Sequence, residues 1–385
     1  MTTMPDRHLN IVCLMTDAHG GHGGISQYNR DLLEAFSRIE CINSITVLPR
    51  LARLPLGRLP DKVSYELDGL GGNAAYARSV SLQLLSRRPI DLVVCGHVNL
   101  VPMAVLIGRL RRAPVVLSIH GIDVWAPTQR PLTNRLLGLI EHILSVSETT
   151  RARFATWSGF PSSKATILPN TFHIRDLGPG PRPADLEAAY VLKGRKVLLT
   201  LGRLVGAERE KGFDRMLDVM PRLVAGDSRI CYVIAGDGPD RNRLEQKGRD
   251  LGVAQNCIFT GFVPAERKAD LLRLADAFVM PSKGEGFGIV LLEAMACGIP
   301  VMGSLGDGTR EALRDGALGE LVNPDDDHDI LRGITAALAK PKFVPEGLEY
   351  FSFDRFTGRV ADALTRILRC DALQATSVMS SHERR

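Results

Sequence analysis

Residues 277–302 read AFVMPSKGEGFGIVLLEAMACGIPVM, and this stretch decides the fold. The apolar run AFVM stops at Pro281, and the glycine-punctuated loop PSKGEGFG follows. IVLLEAMAC then reads as a helix, Gly298 stands where a helix C′ glycine belongs, and Pro300 opens the next apolar segment. Continuous apolar runs alternating with helices indicate a parallel sheet covered on both faces. Two carboxylates mark this unit. Glu285 lies on the loop, and Glu293 lies a little over one turn into the helix, its side chain leaning back toward the N-terminus. Both can face one ligand lying across that terminus. Carboxylates accept hydrogen bonds from vicinal hydroxyls, as on a sugar or ribose, and the amides of Gly286, Phe287, Gly288 and Ile289 suit a phosphate or another oxygen. The plainer alternative is that Glu293 caps local backbone.

The same alternation extends outward in both directions. Strands are predicted at 9–15, 44–48, 91–95, 115–119 and 143–146, and again at 196–201, 230–235, 277–280 and 300–302, with helical stretches between them. GPGPRP at 178–183 fits neither helix nor strand and reads as a linker. The expectation is an α/β chain of two doubly wound, Rossmann-like domains facing across a cleft. Their spans are 1–177 and 191–345, joined by 178–190. A C-terminal helix at 346–370 is expected to pack back toward the first domain, followed by a loose tail at 371–385.

Composition narrows the function classes. Of the 385 residues 45% are hydrophobic and 24% charged, which supports sizeable cores and argues against wholesale disorder. The seven cysteines form no CxxC and no metal-ligand spacing, so buried, reduced thiols in a cytoplasmic protein are expected. The N-terminus lacks the apolar core of a signal peptide, and no run is long enough to span a membrane. Residues 1–180 hold 19 Lys and Arg against 13 Asp and Glu, whereas the remainder holds 29 against 30. A basic first half suits an anionic surface or substrate, or is an ordinary solvated face. Aromatics make up 5% and do not interleave with basic runs, so nucleic acid is not an expected partner.

In open α/β sheets ligands bind beyond the carboxyl ends of the strands. After the first strand comes TDAHGGHGGISQY, with Gly23 and Gly24 directly before a helix. Such a loop lets backbone approach a ligand and offers helix amides to an anion; it also fits a simple tight turn. A dinucleotide fingerprint starting at Gly21 would need glycine at Ser26, so a nicotinamide enzyme is disfavoured. LGRLVGAEREKGFD places Arg203 just past a strand and Lys211 just before a helix, two cations able to neutralise a diphosphate or simply two surface charges.

Taken together, E-x7-E at Glu285 and Glu293, GRL…KG at Arg203 and Lys211, GGIS at Gly23 and Gly24, IAGDGP, SIHGIDVW around His120 and ILPN around Asn170 resemble the retaining glycosyltransferases of family four, which have the B-type glycosyltransferase fold. The pieces stand in family order and cover nearly the whole chain. One departure is the VGAERE insert between Arg203 and Lys211, which is longer than usual. The resemblance implies that Glu285 holds donor-sugar hydroxyls and Glu293 the ribose, while Arg203 and Lys211 stabilise the leaving diphosphate. It further implies that Gly23 and Gly24 bring backbone to that diphosphate, that Val263 contacts the base through backbone, and that His120 stands beside the donor sugar. Residues 1–177 would then be the acceptor side and 191–345 the nucleotide-sugar side. No metal or other cofactor is expected. The implied activity is transfer from a UDP- or GDP-sugar to a hydroxyl acceptor, a sugar or lipid-linked sugar, in bacterial polysaccharide or glycolipid synthesis. Alternatives are a sugar-nucleotide epimerase or hydrolase on the same fold, or a nucleotide-binding protein without turnover. Arg87, Arg88, Arg109, Arg111 and Arg112 suggest docking on an anionic membrane surface, with the protein peripheral at its inner face.

Overall fold

The structure, a computed structural model, describes residues 8–174 and 177–368, and the side chains of all these except Ala207 and Glu208. The chain divides into two compact units. One comprises the residues through Thr171 together with those from Phe353 onward; the other runs Phe172–Ser352. The first boundary thus falls a few residues before the linker read from the sequence, and the predicted tail at 371–385 lies outside the described residues.

Among the described residues the first unit is built on seven strands: β1 (Leu9–Met15), β2 (Ile42–Pro49), β3 (Val63–Tyr65), β4 (Leu92–Cys95), β5 (Val115–Ile119), β6 (His142–Ser145) and β7 (Ala165–Ile167). They form one parallel sheet in the order β3-β2-β1-β4-β5-β6-β7, with Ile11 of β1 opposite Ile45 on one side and Leu92 on the other. The central strands are apolar throughout because both faces are covered; Cys13, Leu14, Val93, Val94 and Leu117 are fully buried. The helices are α1 (Gly24–Arg38), α2 (Asn73–Leu85), α3 (Val101–Arg111), α4 (Pro131–Leu136) and α5 (Glu148–Ser158). Arg111 differs from the sequence reading, which grouped it with lipid-facing cations. Its guanidinium turns inward and donates to the carbonyls of Gln83, Leu84, Ser86 and Arg88, where α2 ends and leaves carbonyls unpaired.

The second unit contains β8 (Lys196–Leu201), β9 (Ile230–Ala235), β10 (Cys257–Gly261), β11 (Ala277–Val279), β12 (Val301–Ser304) and β13 (Glu320–Val322), a parallel sheet in the order β10-β9-β8-β11-β12-β13. Its helices are α6 (Ala184–Ala189), α7 (Phe213–Gly226), α8 (Arg241–Asp250), α9 (Lys268–Leu274), α10 (Ile289–Ala296), α11 (Thr309–Ala312) and α12 (Asp327–Ala339). The last described helix, α13 (Phe353–Leu368), belongs to the first unit. Its buried residues Phe353, Phe356, Val360, Ala363 and Leu364 follow helical spacing and make one apolar stripe. That stripe meets α1: Phe356 packs edge-on against Tyr28 at 6.0 Å, and Arg38 lies 4.4 Å over the Phe353 ring.

At the carboxyl ends of β8 and β9 the backbones nearly touch. Gly236 has φ +122°, and a Cβ there would lie 1.9 Å from the Gly202 carbonyl oxygen. Gly236→Ala should therefore destabilise the protein by roughly 3 kcal/mol or more. A chemical-denaturation midpoint equal to that of the wild type would contradict this packing.

Candidate active site

The site in the second unit is assembled by three loops at the carboxyl edge of its sheet. Leaving β8, the chain passes Gly202 and the exposed Arg203 and then forms a short 3₁₀ helix, Gly206–Lys211. The insert that departs from the family pattern is thus a turn of helix ending on Lys211. The Lys211 stem returns over Gly202, where a Cβ would meet its Cδ at 3.4 Å, so Arg203 and Lys211 emerge at the same strand end.

The loop after β11 is pressed against this turn. The Lys283 amide donates to the Glu210 carbonyl at 2.6 Å. Gly212 has φ +89°, and a Cβ on it would lie 2.7 Å from the Pro281 carbonyl oxygen. The result is a contact between two of the predicted residues: Lys211 Nζ donates to Glu285 Oε2 at 3.2 Å. Their side chains are 24% and 21% exposed, and a pair so accessible contributes at most about 1 kcal/mol to stability. Its significance is positional, because it sets a cation and a carboxylate side by side at the strand end.

Asp307, which the sequence reading passed over, holds the Glu285 loop in shape. Its Oδ2 accepts from Ser282 Oγ at 2.6 Å and from the Glu285 amide at 2.9 Å, while Oδ1 accepts from the Thr309 amide at 3.0 Å and hydroxyl at 2.7 Å. The Gly308 amide donates to the Glu285 carbonyl at 2.9 Å. Burial pushes the Asp307 carboxyl up to about 6, opposed by the donated hydrogen bonds.

Gly286, Phe287 and Gly288 are buried, with the Phe287 ring edge-on to Phe351 at 5.6 Å. Gly288, at φ +89°, leads into α10 at Ile289 without a side-chain cap, and the first-turn amides of a helix have no acceptors within it. Glu293 is buried, and its Oε1 accepts from Lys268 Nζ at 2.5 Å rather than from local backbone. Lys268 opens α9, five residues beyond the half-buried Val263. Among the described residues no three His, Cys, Asp or Glu side chains gather in a metal-ligand group.

The remaining predicted residues lie at the carboxyl edge of the first unit's sheet. Gly23, at φ +99°, caps α1, and Gly24 is its first residue. A Cβ on either would meet nothing within 4 Å, so no neighbour in the protein requires the missing side chains there. Arg30 pins this loop by donating to the carbonyls of Ala18 and Gly21. His120 follows β5. Its Nε2 donates to the Gly96 carbonyl at 3.0 Å, and its buried Nδ1 has no partner among the described residues. Burial pushes the imidazole down to about 4, opposed by the Gly96 contact and assisted by His97. Near neutral pH it is an uncharged ring with a bare Nδ1 acceptor. Asp123, three residues on, also has a buried oxygen without a partner among the described residues, and burial pushes its carboxyl up to about 7. Asp123 lies within SIHGIDVW, and only its burial sets it apart.

Two family profiles match the chain: Glycosyltransferase Family 4 over residues 22–175 and Glycosyl transferases group 1 over 184–347. The GDP-mannose-dependent alpha-(1-6)-phosphatidylinositol monomannoside mannosyltransferase of Mycolicibacterium smegmatis is 33% identical over 274 residues, covering 68% of this chain and 70% of that one. The chain belongs to glycosyltransferase family four. The 2-deoxystreptamine N-acetyl-D-glucosaminyltransferase of Streptomyces fradiae is 29% identical over 69% of this glycosyltransferase and 66% of its own length. Among solved structures, Anabaena HepE in complex with UDP and glucose aligns with a TM-score of 0.73 at 18% identity, over 93% of this chain and 100% of that one. That likeness establishes the B-type glycosyltransferase fold.

The glycosyltransferase should carry a specific pH signature at His120. Its native value lies below the ordinary 6.5, so the unfolded chain takes up this proton first. Its contribution to stability is complete above pH 6.5 and is lost as pH falls toward 4. The stability of His120→Gln relative to wild type should therefore rise across that window, read from denaturant unfolding at each pH. A constant difference would show that the ring titrates normally.

Proposed function

We propose that this enzyme transfers a hexosyl group from a nucleoside-diphosphate sugar to a hydroxyl of a lipid-linked or polysaccharide acceptor, with retention at the anomeric carbon. The observation that carries the reading is the Lys211–Glu285 pair at the mouth of α10. Transfer builds negative charge on the departing diphosphate, and fixed cations with helix amides stabilise that charge without reorganising. Lys211 and Arg203 supply the cations, and the first turn of α10 supplies the amides. Glu285 takes donor-sugar hydroxyls, and Glu293, aligned by Lys268, takes the ribose. Val263 lies by the base, Gly23 and Gly24 give amides to the diphosphate, and His120 accepts a sugar hydroxyl at Nδ1. The leaving phosphate assists removal of the acceptor proton on the same face. In this mechanism the cations do the work of a metal, and none is required.

Several relatives use GDP-mannose and act on phosphatidylinositol mannosides, which makes GDP-mannose the first donor to test. A membrane-borne acceptor suits the surface of the first unit. Leu85 and Leu110 are 80% and 63% exposed near the ends of α2 and α3, close in sequence to Arg87, Arg88 and Arg109. No described helix is long and apolar enough to cross a membrane. We read this surface as a peripheral contact with the inner face of an anionic bilayer.

A donor panel of UDP- and GDP-sugars, with and without acceptor extract, tests the assignment through released nucleotide and transferred label. Glu285→Ala should cut kcat strongly. Glu293→Ala should mainly raise KM, because ribose contacts are alike in ground and transition states. Lys211→Ala should cost about 3 kcal/mol of transition-state stabilisation, a loss of two orders of magnitude. Activity should persist in EDTA. Unchanged turnover in folded Glu285→Ala would overturn the site, and complete loss in EDTA would overturn the metal-free mechanism.

A further inference from the structure

A second feature lies at the other edge of the first unit's sheet. A cavity of about 780 Å³ opens between the C-terminal end of α3, the first residues of β5, β6 and β7, and the last turn of α13. Strand β5 gives its orientation: Val115, at the amino end, lines the cavity, whereas His120 stands past the carboxyl end. The cavity is therefore on the opposite edge from Gly23, Gly24 and His120.

Its wall is strongly cationic. Arg109, Arg112, Lys164 and Arg366 converge on it, and among the described residues lining it Glu141 is the only carboxylate. These cations come from three separate parts of the chain, so they are not a charge run along one solvated helix face. None of the four side chains makes a hydrogen bond or ion pair with a described residue, unlike that of the neighbouring Arg111. His142 in the same wall senses them: its protonation is pushed down by burial and then by Arg366 and Lys164. Like charges gathered around one concavity repel, and a bound anion would relieve that repulsion. The volume is in the range of small-molecule sites, about 300–1,000 Å³. Guanidinium groups also match phosphate oxygens in pairs, which favours phosphate over a simple halide.

We propose that this cavity binds a phosphate-bearing anion of diphosphate size, at a site separate from the donor loops. The ligand is either a free phosphorylated molecule or the headgroup of an anionic lipid.

Calorimetric titration with inorganic pyrophosphate at constant ionic strength tests the site. Arg203→Ala/Lys211→Ala removes the donor-side cations, and pyrophosphate should still bind this variant. Adding Arg112→Asn and Lys164→Ala should weaken the remaining binding at least tenfold. Asparagine is chosen because Arg112 has φ +54°, a left-handed conformation that Asn tolerates. Loss of all binding in Arg203→Ala/Lys211→Ala, or an affinity unchanged by the added substitutions, would overturn the proposal. Should the combined variant not fold, Glu141→Gln gives an independent reading: removing the one carboxylate should strengthen pyrophosphate binding severalfold, and an unchanged or weaker affinity would contradict the site. The source is decided by co-sedimentation with phosphatidylcholine vesicles, with and without phosphatidylglycerol. Binding to anionic vesicles that pyrophosphate displaces and Arg112→Asn/Lys164→Ala abolishes supports a lipid headgroup. Pyrophosphate binding without such displacement supports a free phosphate.

Discussion

The buried carboxylate of Asp307 is the constraint on which the second unit's candidate site depends. It accepts four hydrogen bonds, two from the loop that carries Glu285 and two from the residue that opens α11. Leaving any of those donors unpaired inside the protein would cost about 1–3 kcal/mol, so the loop has one favourable path. That path places the Glu285 side chain against Lys211, and the close approach of Gly212 to Pro281 keeps the Lys211 turn in register with it. The geometry is thus set before any substrate arrives. This is what electrostatic stabilisation of a leaving group requires, since cations that must reorganise during the reaction lose much of their effect.

The strand ends of the two units carry different groups. In the second unit the strand ends present fixed charge, with Arg203, Lys211 and the Lys268–Glu293 pair. In the first they present open backbone at Gly23 and Gly24 and a neutral imidazole at His120. Burial keeps that ring uncharged and leaves its Nδ1 as an acceptor with no partner among the described residues. Gly23 is explained by its φ of +99°, whereas Gly24 is not explained by packing at its Cβ position, which is consistent with space kept for an external group.

The sequence made some of this legible, and burial explains which parts. The nine strands read from apolar runs are the inner strands of the two sheets, where both faces are covered. The four it missed, β3, β7, β10 and β13, are the outermost strands of the two sheets. They are three to five residues long and mostly half-buried, so they lack a continuous apolar signature. The site divides in the same way. Glu285, Glu293, Arg203 and Lys211 belong to local motifs with fixed spacing and were visible. Asp307, on the loop after β12, and Lys268, at the start of α9, reach those motifs from elsewhere in the chain, and only the fold brings them there. Arg111 was misread because a helix-terminal arginine looks alike in sequence whether it meets lipid or a neighbouring helix's carbonyls.

The most direct test of the preorganised site is the affinity of Asp307→Asn for UDP and GDP, measured by calorimetry beside the wild type. An amide in place of the carboxylate turns one acceptor oxygen into a donor, so either the Glu285 loop or the Thr309 pair loses its partner. Nucleotide affinity should fall at least tenfold while unfolding stays cooperative. A folded Asp307→Asn protein that binds nucleotide as tightly as the wild type would contradict the claim that this buried carboxylate holds the site in place.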